Sequence, residues 1–215
     1  MSAVRAITFD FNGTLSDDEP ILCGIFCELF AGLGRPLSEQ EYYDELAGLS
    51  DEAIVTTWLG EGYPDVAGAV RERVLRYRAL VADGSTITEP VREAVRYAAA
   101  RVPVAIVSGA ALAEIVPVVE AAGLAPLLRA VISSDAVLNG KPHPESYLKA
   151  LEALGAEAGE TVAFEDTESG IASATGAGLR CIAVGRTLAP ERLSQADEVI
   201  DGIDVDVVRR LLPDR

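Results

Sequence analysis

The chain has 215 residues, of which 49% are apolar, so it can bury a sizeable core and still hold a smaller inserted unit. Acidic residues outnumber basic ones by 34 to 18, and the resulting formal charge of −16 disfavours nucleic acid and anionic membrane surfaces as partners. No apolar run reaches membrane-spanning length and the first residues lack the pattern of a secretory signal, so the sequence predicts a cytoplasmic protein.

Short apolar runs predict the strands of a sheet at 4–9, 102–107, 130–132, 162–164 and 181–184. From about Pro90 onwards these runs alternate with amphipathic segments of helical period. That alternation is typical of right-handed crossover units, in which helices cover both faces of a parallel sheet. The predicted fold class is therefore α/β with a parallel sheet.

The stretch between Ser16 and about Asp83 has apolar residues at helical spacing and no strand pattern. Breaks at 32–36, 48–50 and 60–64 divide it into about four helices, and residues 83–85 form a plausible turn back. We interpret residues 16–83 as a helical cap, with 1–15 and 84–215 forming the core domain. Open parallel sheets bind ligands at the carboxyl ends of their strands, so this cap would cover the binding crevice.

Two carboxyl-bearing motifs follow predicted strands that lie far apart in the chain: Asp10 follows the first strand, and Glu165 with Asp166 follows the strand at 162–164. If both strands belong to one sheet, these carboxylates meet, and like charges at close range raise each other's pKa. Mg²⁺ relieves that conflict because it prefers oxygen ligands and keeps water that a phosphate can replace. The sequence therefore predicts a Mg²⁺ site and a reaction on a phosphate ester, with Asp10 able to attack phosphorus.

Other polar residues at the same predicted edge could bind the phosphate. Ser108 and Gly109 follow a strand, so the hydroxyl and nearby N–H groups could contact a phosphate, cap the next helix, or do both. Lys141 lies in a loop stiffened by two prolines and could pair with Asp10 and the transferring phosphoryl group. His143, the single histidine, is interpreted as a solvent-facing spacer.

Several cap side chains have two open interpretations. Four arginines between 71 and 78 fall on one predicted helix but not on one face, and we interpret them as a solvated surface rather than a phosphate contact. Trp58 and Tyr63 could line the crevice or pack inside the cap.

Taken together and in this order, the four motifs resemble those of the haloacid dehalogenase superfamily of phosphohydrolases. The segment 10–15 looks like its first motif, Ser108-Gly109 its second, Lys141-Pro142 its third and Glu165-Asp166 its fourth. The helical insert and the forms of the last two motifs look most like the branch that holds phosphoglycolate phosphatases and β-phosphoglucomutases. The resemblance covers nearly the whole chain.

The resemblance implies a Rossmann-like core with an inserted helical cap, and Asp10 as the nucleophile. It also implies that Mg²⁺ is the cofactor and that a small-molecule phosphate ester is the partner. The implied phosphate-binding residues are Asn12, Gly13, Ser108, Gly109 and Lys141, of which Asn12, Ser108 and Lys141 also assist catalysis. The implied metal ligands are Asp10, Asp166 and the backbone carbonyl of Asn12, and the acidic pair at the strand end adds Glu165 as a further candidate ligand.

One position departs from the family pattern. Phosphatases and mutases of this family carry an aspartate two residues after the nucleophile as general acid and base, and here that position is Asn12. An amide cannot shuttle a proton, and loss of general acid catalysis commonly costs about 10² to 10⁴ in rate. Three hypotheses stay open. The chain is a working phosphatase whose leaving groups need little protonation or that recruits another acid, such as Asp17, Asp18 or Glu19. It is a weak enzyme retained for binding, or Asn12 deamidates to aspartate because a glycine follows it.

The sequence thus predicts a Mg²⁺-dependent phosphatase that hydrolyses a small phosphorylated metabolite through an aspartyl-phosphate, with activity reduced by Asn12. A phosphosugar mutase is an alternative, although residues 49–52 read Leu-Ser-Asp-Glu where the mutase pattern places a phosphate-binding arginine. The other alternative is a catalytically impaired protein that binds a phosphorylated metabolite. Neither the particular ester nor the oligomeric state follows from the sequence.

Overall fold

A computed structural model describes residues 3–212, which contain one six-stranded sheet. Every neighbouring pair of strands is parallel, and the strand order is β3-β2-β1-β4-β5-β6. The strands are β1 (Ala6–Phe9), β2 (Val104–Val107), β3 (Ala130–Ile132), β4 (Thr161–Glu165), β5 (Arg180–Val184) and β6 (Glu198–Ile200).

The five predicted strands are all present, which confirms the α/β class and the parallel sheet. β6 has no counterpart among the predicted strands. This strand has three residues at the edge of the sheet, and the side chain of its central residue, Val199, is 40% exposed. It therefore lacks the continuous apolar run by which the buried strands were recognised.

Helices alone occupy the chain between β1 and residue 82, as predicted. They are α1 (Glu19–Gly32), α2 (Glu39–Glu41), which continues as a π-helical turn over Tyr42–Leu46, α3 (Asp51–Leu59) and α4 (Val66–Val81). Stacked rings form part of their apolar interior, with centroids of Phe26 and Tyr42 6.1 Å apart. We refer to these helices as the cap; the domain boundaries at 15/16 and 83/84 stay a prediction.

The chain returns from the cap through a tight turn at Gly84, whose φ is 71°. A Cβ atom there would lie 2.8 Å from the amide nitrogen of Ala122 and 2.9 Å from the carbonyl oxygen of Val118. Both the positive φ and the closeness of this neighbouring backbone therefore favour glycine.

The remaining helices cover both faces of the sheet. They are α5 (Glu89–Ala99), α6 (Leu112–Ala121), α7 (Glu145–Leu154), α8 (Glu168–Gly176) and α9 (Val205–Leu211). Alternate strand residues enter different apolar layers: Phe9 and Phe164 pack on the side of α5, α6 and α9, whereas Ala163 and Cys181 pack on the side of α7 and α8. Within residues 3–212, no helix combines the length and apolarity needed to cross a membrane.

The central position of β1 determines where the polar motifs meet. β1 pairs with β2 on one side and with β4 on the other, and Phe9 lies opposite Phe164. These two rings stack with centroids 5.0 Å apart. The residues that follow them, Asp10 and Glu165, therefore leave the sheet side by side.

We expect Phe164→Ala to lower the free energy of unfolding by about 3–5 kcal/mol, because it leaves a cavity between the two central strands. Urea denaturation measures the change. The matched control is Leu138→Ala, because Leu138 is 93% exposed and its loss should change stability by less than about 0.5 kcal/mol. Equal effects of the two substitutions would contradict the central role of the ring pair.

Candidate functional site

Three buried carboxylates converge at the carboxyl ends of β1 and β4. One oxygen atom from each of Asp10, Glu165 and Asp166 lies within 4.8 Å of the other two. The three residues are 6%, 0% and 2% exposed, respectively. The structure thus brings together the residues that the two acidic motifs predicted.

Lys141 lies among these acids with its ammonium group almost fully buried. Its Nζ donates to Oδ1 of Asp10 and to Oε1 of Glu165, each at 2.5 Å, and to the carbonyl oxygen of Val107 at 3.0 Å. Burial alone would lower the pKa of Lys141, but the charges of Asp10 and Glu165 raise it above its ordinary value. The lysine therefore stays protonated, and its predicted proximity to Asp10 is observed.

The carboxylates are left with more negative charge than one ammonium can balance. Burial raises the pKa of Asp10 although Lys141 opposes the shift, and burial raises the pKa of Glu165 to about 7. Burial and the charges of its two acidic neighbours raise the pKa of Asp166 well above its ordinary value. A divalent cation would remove this conflict, because three acids face a single base.

Local details of the chain fit such a cation. Oε2 of Glu165 is buried and has no hydrogen-bond partner among the described residues. A Cβ on Gly170 would collide with this oxygen, and a Cβ on Gly13, whose φ is 70°, would collide with Oδ2 of Asp166. The two glycines leave room for an all-oxygen donor set, which is the kind that Mg²⁺ prefers.

Asn12 has a fixed orientation. Its Nδ2 donates to Oδ2 of Asp18 at 2.9 Å and to the hydroxyl of Tyr77 at 3.0 Å. The other oxygen of Asp18 accepts from the backbone N–H of Gly13 at 3.1 Å, and Tyr77 also donates to Asp18. Both hydrogens of the amide nitrogen are used in these bonds. A ligand in the crevice can therefore hydrogen-bond to the Asn12 side chain only through the acceptor atom Oδ1.

The acids considered as substitutes for the missing aspartate lie in three different environments. Asp17 is exposed and forms an ion pair with Arg186 at 3.4 Å. Asp18 is fully buried beneath Asn12, and burial raises its pKa to about 6. Glu19 lines the crevice and accepts from the hydroxyl of Tyr42 at 2.8 Å. Burial raises the pKa of Glu19 to about 7.

A crevice of about 420 Å³ separates the carboxyl ends of the strands from the cap. Asp10 and Lys141 line it, together with Ser108, whose Oγ accepts from the N–H of Ala110 at 3.1 Å. Ser108 thus faces the crevice, as the phosphate interpretation requires. It does not cap the next helix, because α6 begins at Leu112 with Ala111 as its N-cap, and the Ser108 hydroxyl accepts within the turn before that helix. The other lining residues from the predicted site are Asn12, Gly109 and Asp166.

Arg73 corrects the interpretation of the cap arginines as a solvated surface. It is 6% exposed, donates to Asp51 and to Glu114, and lines the crevice. Arg71 and Arg78, by contrast, are exposed as predicted. The signal that could have identified Arg73 is its position one helical turn before the buried Tyr77.

The remaining interpretations of single residues agree with the structure. Trp58 packs inside the cap and its Nε1 donates to the carbonyl of Arg35 at 2.9 Å. Tyr63 is partly buried in the same apolar cluster, and neither ring lines the crevice. His143 is exposed, as expected of a spacer in the loop.

Comparisons with known proteins agree with this architecture. The profile of the haloacid dehalogenase-like hydrolases matches residues 4–178. Protein CbbY of Rhodobacter capsulatus is 30% identical over 207 residues, covering 91% of this chain and 89% of the relative. A phosphoglycolate phosphatase of Pectobacterium atrosepticum is 27% identical over 228 residues, covering 94% and 90% of the two chains.

A solved structure of CbbY from Rhodobacter sphaeroides in complex with phosphate superposes with a TM-score of 0.80 at 28% identity, covering 93% of this chain and 94% of that one. This likeness confirms the Rossmann-like core with its helical cap. Together with the order of the four motifs along the sheet, the matches show that the chain belongs to the haloacid dehalogenase-like hydrolase family.

Proposed function

We propose that this hydrolase is a Mg²⁺-dependent phosphatase that cleaves a small phosphorylated metabolite, with Asp10 as its nucleophile. The observation that carries the proposal is the placement of Asp10, which lines the crevice, contacts Lys141 and lies within 4.8 Å of Glu165 and Asp166. The names of its relatives support the reaction class, since one is a phosphoglycolate phosphatase and the CbbY structure contains phosphate.

The reaction has two steps on the Asp10 carboxylate. In the first, a carboxylate oxygen attacks phosphorus, the phosphorus–oxygen bond to the substrate breaks, and an aspartyl-phosphate forms. In the second, water attacks that phosphorus, the bond to Asp10 breaks, and inorganic phosphate leaves. Lys141 holds Asp10 in place and offsets charge on the phosphoryl group, while the Ser108 hydroxyl and the Gly109 N–H bind its oxygens.

The metal would be held by Asp10, Glu165, Asp166 and the backbone carbonyl of Asn12. When bound, Mg²⁺ supplies the positive charge that lets an anionic phosphate approach an anionic nucleophile. Thr14 and Thr187 hold Asp166 through hydrogen bonds to its two oxygens. The metal ligand is therefore oriented before any ion binds.

Asn12 limits the first step. The departing oxygen needs a proton unless it is a stable anion, and the fixed amide of Asn12 has none to transfer. We therefore propose reduced activity on alkyl phosphates. The same observation favours a second candidate function, a protein that binds a phosphorylated metabolite without turning it over. Phosphosugar mutase activity also requires proton transfer, so the amide counts against it.

We expect the protein to release phosphate from p-nitrophenyl phosphate when Mg²⁺ is present and to stop when EDTA removes the ion. Asp10→Asn should lower kcat by roughly 10³-fold or more, because the attacking oxygen is lost. Asp201→Asn is the matched control, since Asp201 is an exposed acid away from the crevice. Tight binding of inorganic phosphate without any release from the ester would favour the binding protein instead.

Moving the carboxyl group back should restore acid catalysis. Asn12→Asp alone would bring a second carboxylate next to that of Asp18, and the two would repel. We therefore expect the double substitution Asn12→Asp/Asp18→Asn to restore the acid, because a hydrogen bond can still join the two positions. It should raise kcat on an alkyl phosphate by about 10² to 10⁴, and much less on p-nitrophenyl phosphate, whose leaving group needs no proton.

The control for this exchange is Asp18→Asn alone, which removes a charge and adds no acid at position 12. Mass spectrometry of the peptide that contains residue 12 establishes that the parent protein still carries the amide. Equal gains on the alkyl and aryl esters would contradict a role in protonating the leaving group.

The stability of the metal-free protein should fall as pH rises from about 4 to 7. Burial raises the pKa of Asp18 to about 6 and that of Glu19 and Glu165 to about 7, from 3.8, 4.5 and 4.5. The folded state then binds more protons than the unfolded state, so this contribution is complete below the unfolded pKa and is lost as pH rises through the folded pKa.

Thermal unfolding in EDTA should therefore show a higher Tm at about pH 5 than at about pH 8. Mg²⁺ should raise Tm more at the higher pH, where the carboxylates are ionised. Asp166→Asn should abolish most of that gain. A metal-free Tm that climbs steadily over the same interval would refute the expected proton uptake on folding.

A further inference from the structure

We propose that the crevice selects a phosphate monoester whose remaining groups carry no negative charge, that is, a hydroxyl- or amine-bearing monophosphate rather than a bisphosphate or a phosphorylated carboxylic acid. This inference rests on the proposed phosphatase function and names the substrate class for the same site. It depends on how charge is distributed between the two sides of the crevice.

The cap side of the crevice is acidic. Glu19, Asp51 and Glu52 line it, and Arg73 is the one basic side chain that the cap contributes to the lining. Arg73 is itself paired with Asp51 and with the buried Glu114. The cap thus contributes three acidic side chains and one guanidinium to the lining, and that guanidinium is held by Asp51 and Glu114.

The two terminal nitrogens of Arg73 are not free to bind a second anion. Its side chain is 7% exposed, and both of its terminal nitrogens donate to carboxylates. Glu114 is 3% exposed, so moving the guanidinium to a ligand would leave that buried carboxylate without its partner. Breaking a buried pair in this way is strongly unfavourable.

The core side offers no spare cation either. Lys141 is the basic residue there, and it already contacts Asp10 and Glu165 at 2.5 Å. In the proposed reaction its charge serves the transferring phosphoryl group. A second phosphate or a carboxylate on the substrate would therefore meet acids on the cap side and no uncommitted base.

Neutral hydrogen-bonding groups, by contrast, find partners in the crevice. Ser146 lines it, is 3% exposed, and its Oγ has no hydrogen-bond partner among the described residues. Nε of Arg73 is likewise buried and unpartnered within residues 3–212. Buried polar atoms of this kind are costly unless a ligand group or water pairs with them. A ligand hydroxyl can accept from Nε of Arg73, and a ligand hydroxyl can either donate to or accept from Oγ of Ser146.

Competition against p-nitrophenyl phosphate tests the inference with matched hexose phosphates. Glucosamine 6-phosphate carries an amine, glucose 6-phosphate is neutral beyond its phosphate, 6-phosphogluconate carries a carboxylate, and glucose 1,6-bisphosphate carries a second phosphate. We expect the first two to inhibit with constants about tenfold or more lower than the last two. A two-carbon set, phosphoethanolamine against 2-phosphoglycolate, should give the same order. Tighter binding of the anionic member in either set overturns the inference.

Substitution of one acid separates a local from a global charge effect. Glu52→Gln should lower the ratio of the inhibition constants of 6-phosphogluconate and glucose 6-phosphate about threefold. The effect should be larger at low ionic strength, where screening is weak. Glu61→Gln removes the same charge from an exposed cap residue outside the crevice and should leave the preference unchanged. Equal effects of the two substitutions would show that net charge alone sets the order, which refutes selection by the crevice.

Failure of the phosphatase proposal would look different. If no ester releases phosphate with Mg²⁺, the proposed function fails, yet titration calorimetry with the same compounds still gives the order of affinities. An order that favours neutral and amine-bearing monophosphates then supports the selectivity without the activity, and the reverse order refutes both.

Discussion

The site depends on one electrostatic constraint: Asp10, Glu165 and Asp166 are buried together, and among the residues that the structure describes Lys141 alone forms ion pairs with them. Such a group is unfavourable by itself, because burial and mutual repulsion both oppose ionisation. The surrounding chain accommodates these acids. Glycines stand where a Cβ would collide with the carboxylates, and two threonine hydroxyls donate to Asp166 and fix its orientation. A protein selected only for stability would gain nothing from this cluster, which is why its chemistry is the best guide to function.

The cap completes the site because it is inserted where β1 ends. α1 begins nine residues after Asp10, so its first acid reaches the same crevice as the nucleophile. Arg73 then joins three elements, since it lies on α4, binds Asp51 at the start of α3 and binds Glu114 on α6 of the core. One buried guanidinium thus links the cap to the core, and its two terminal nitrogens are both occupied by carboxylates.

The sequence was sufficient for what depends on local pattern. Apolar runs located five strands. The strands that precede Asp10 and Glu165, β1 and β4, are neighbours in the sheet, as the expected meeting of the two acidic motifs requires. It was insufficient where position depends on distant partners. Burial of Arg73 follows from acids 22 and 41 residues away, and helical spacing alone does not reveal them. The edge strand β6 lacked a continuous buried run because water reaches one side of it.

The contact between Asn12 and Asp18 shows why a motif and its environment must be read together. A carboxyl group is still present near position 12, but it lies fully buried beneath the amide, where it accepts from Asn12, Gly13 and Tyr77. These bonds satisfy the turn that holds Asp10 and orient Asn12, yet Asn12 lines the crevice and the buried Asp18 does not. The turn keeps its architecture, while proton transfer to a leaving oxygen, directly or through one water, depends on a group that reaches the crevice itself.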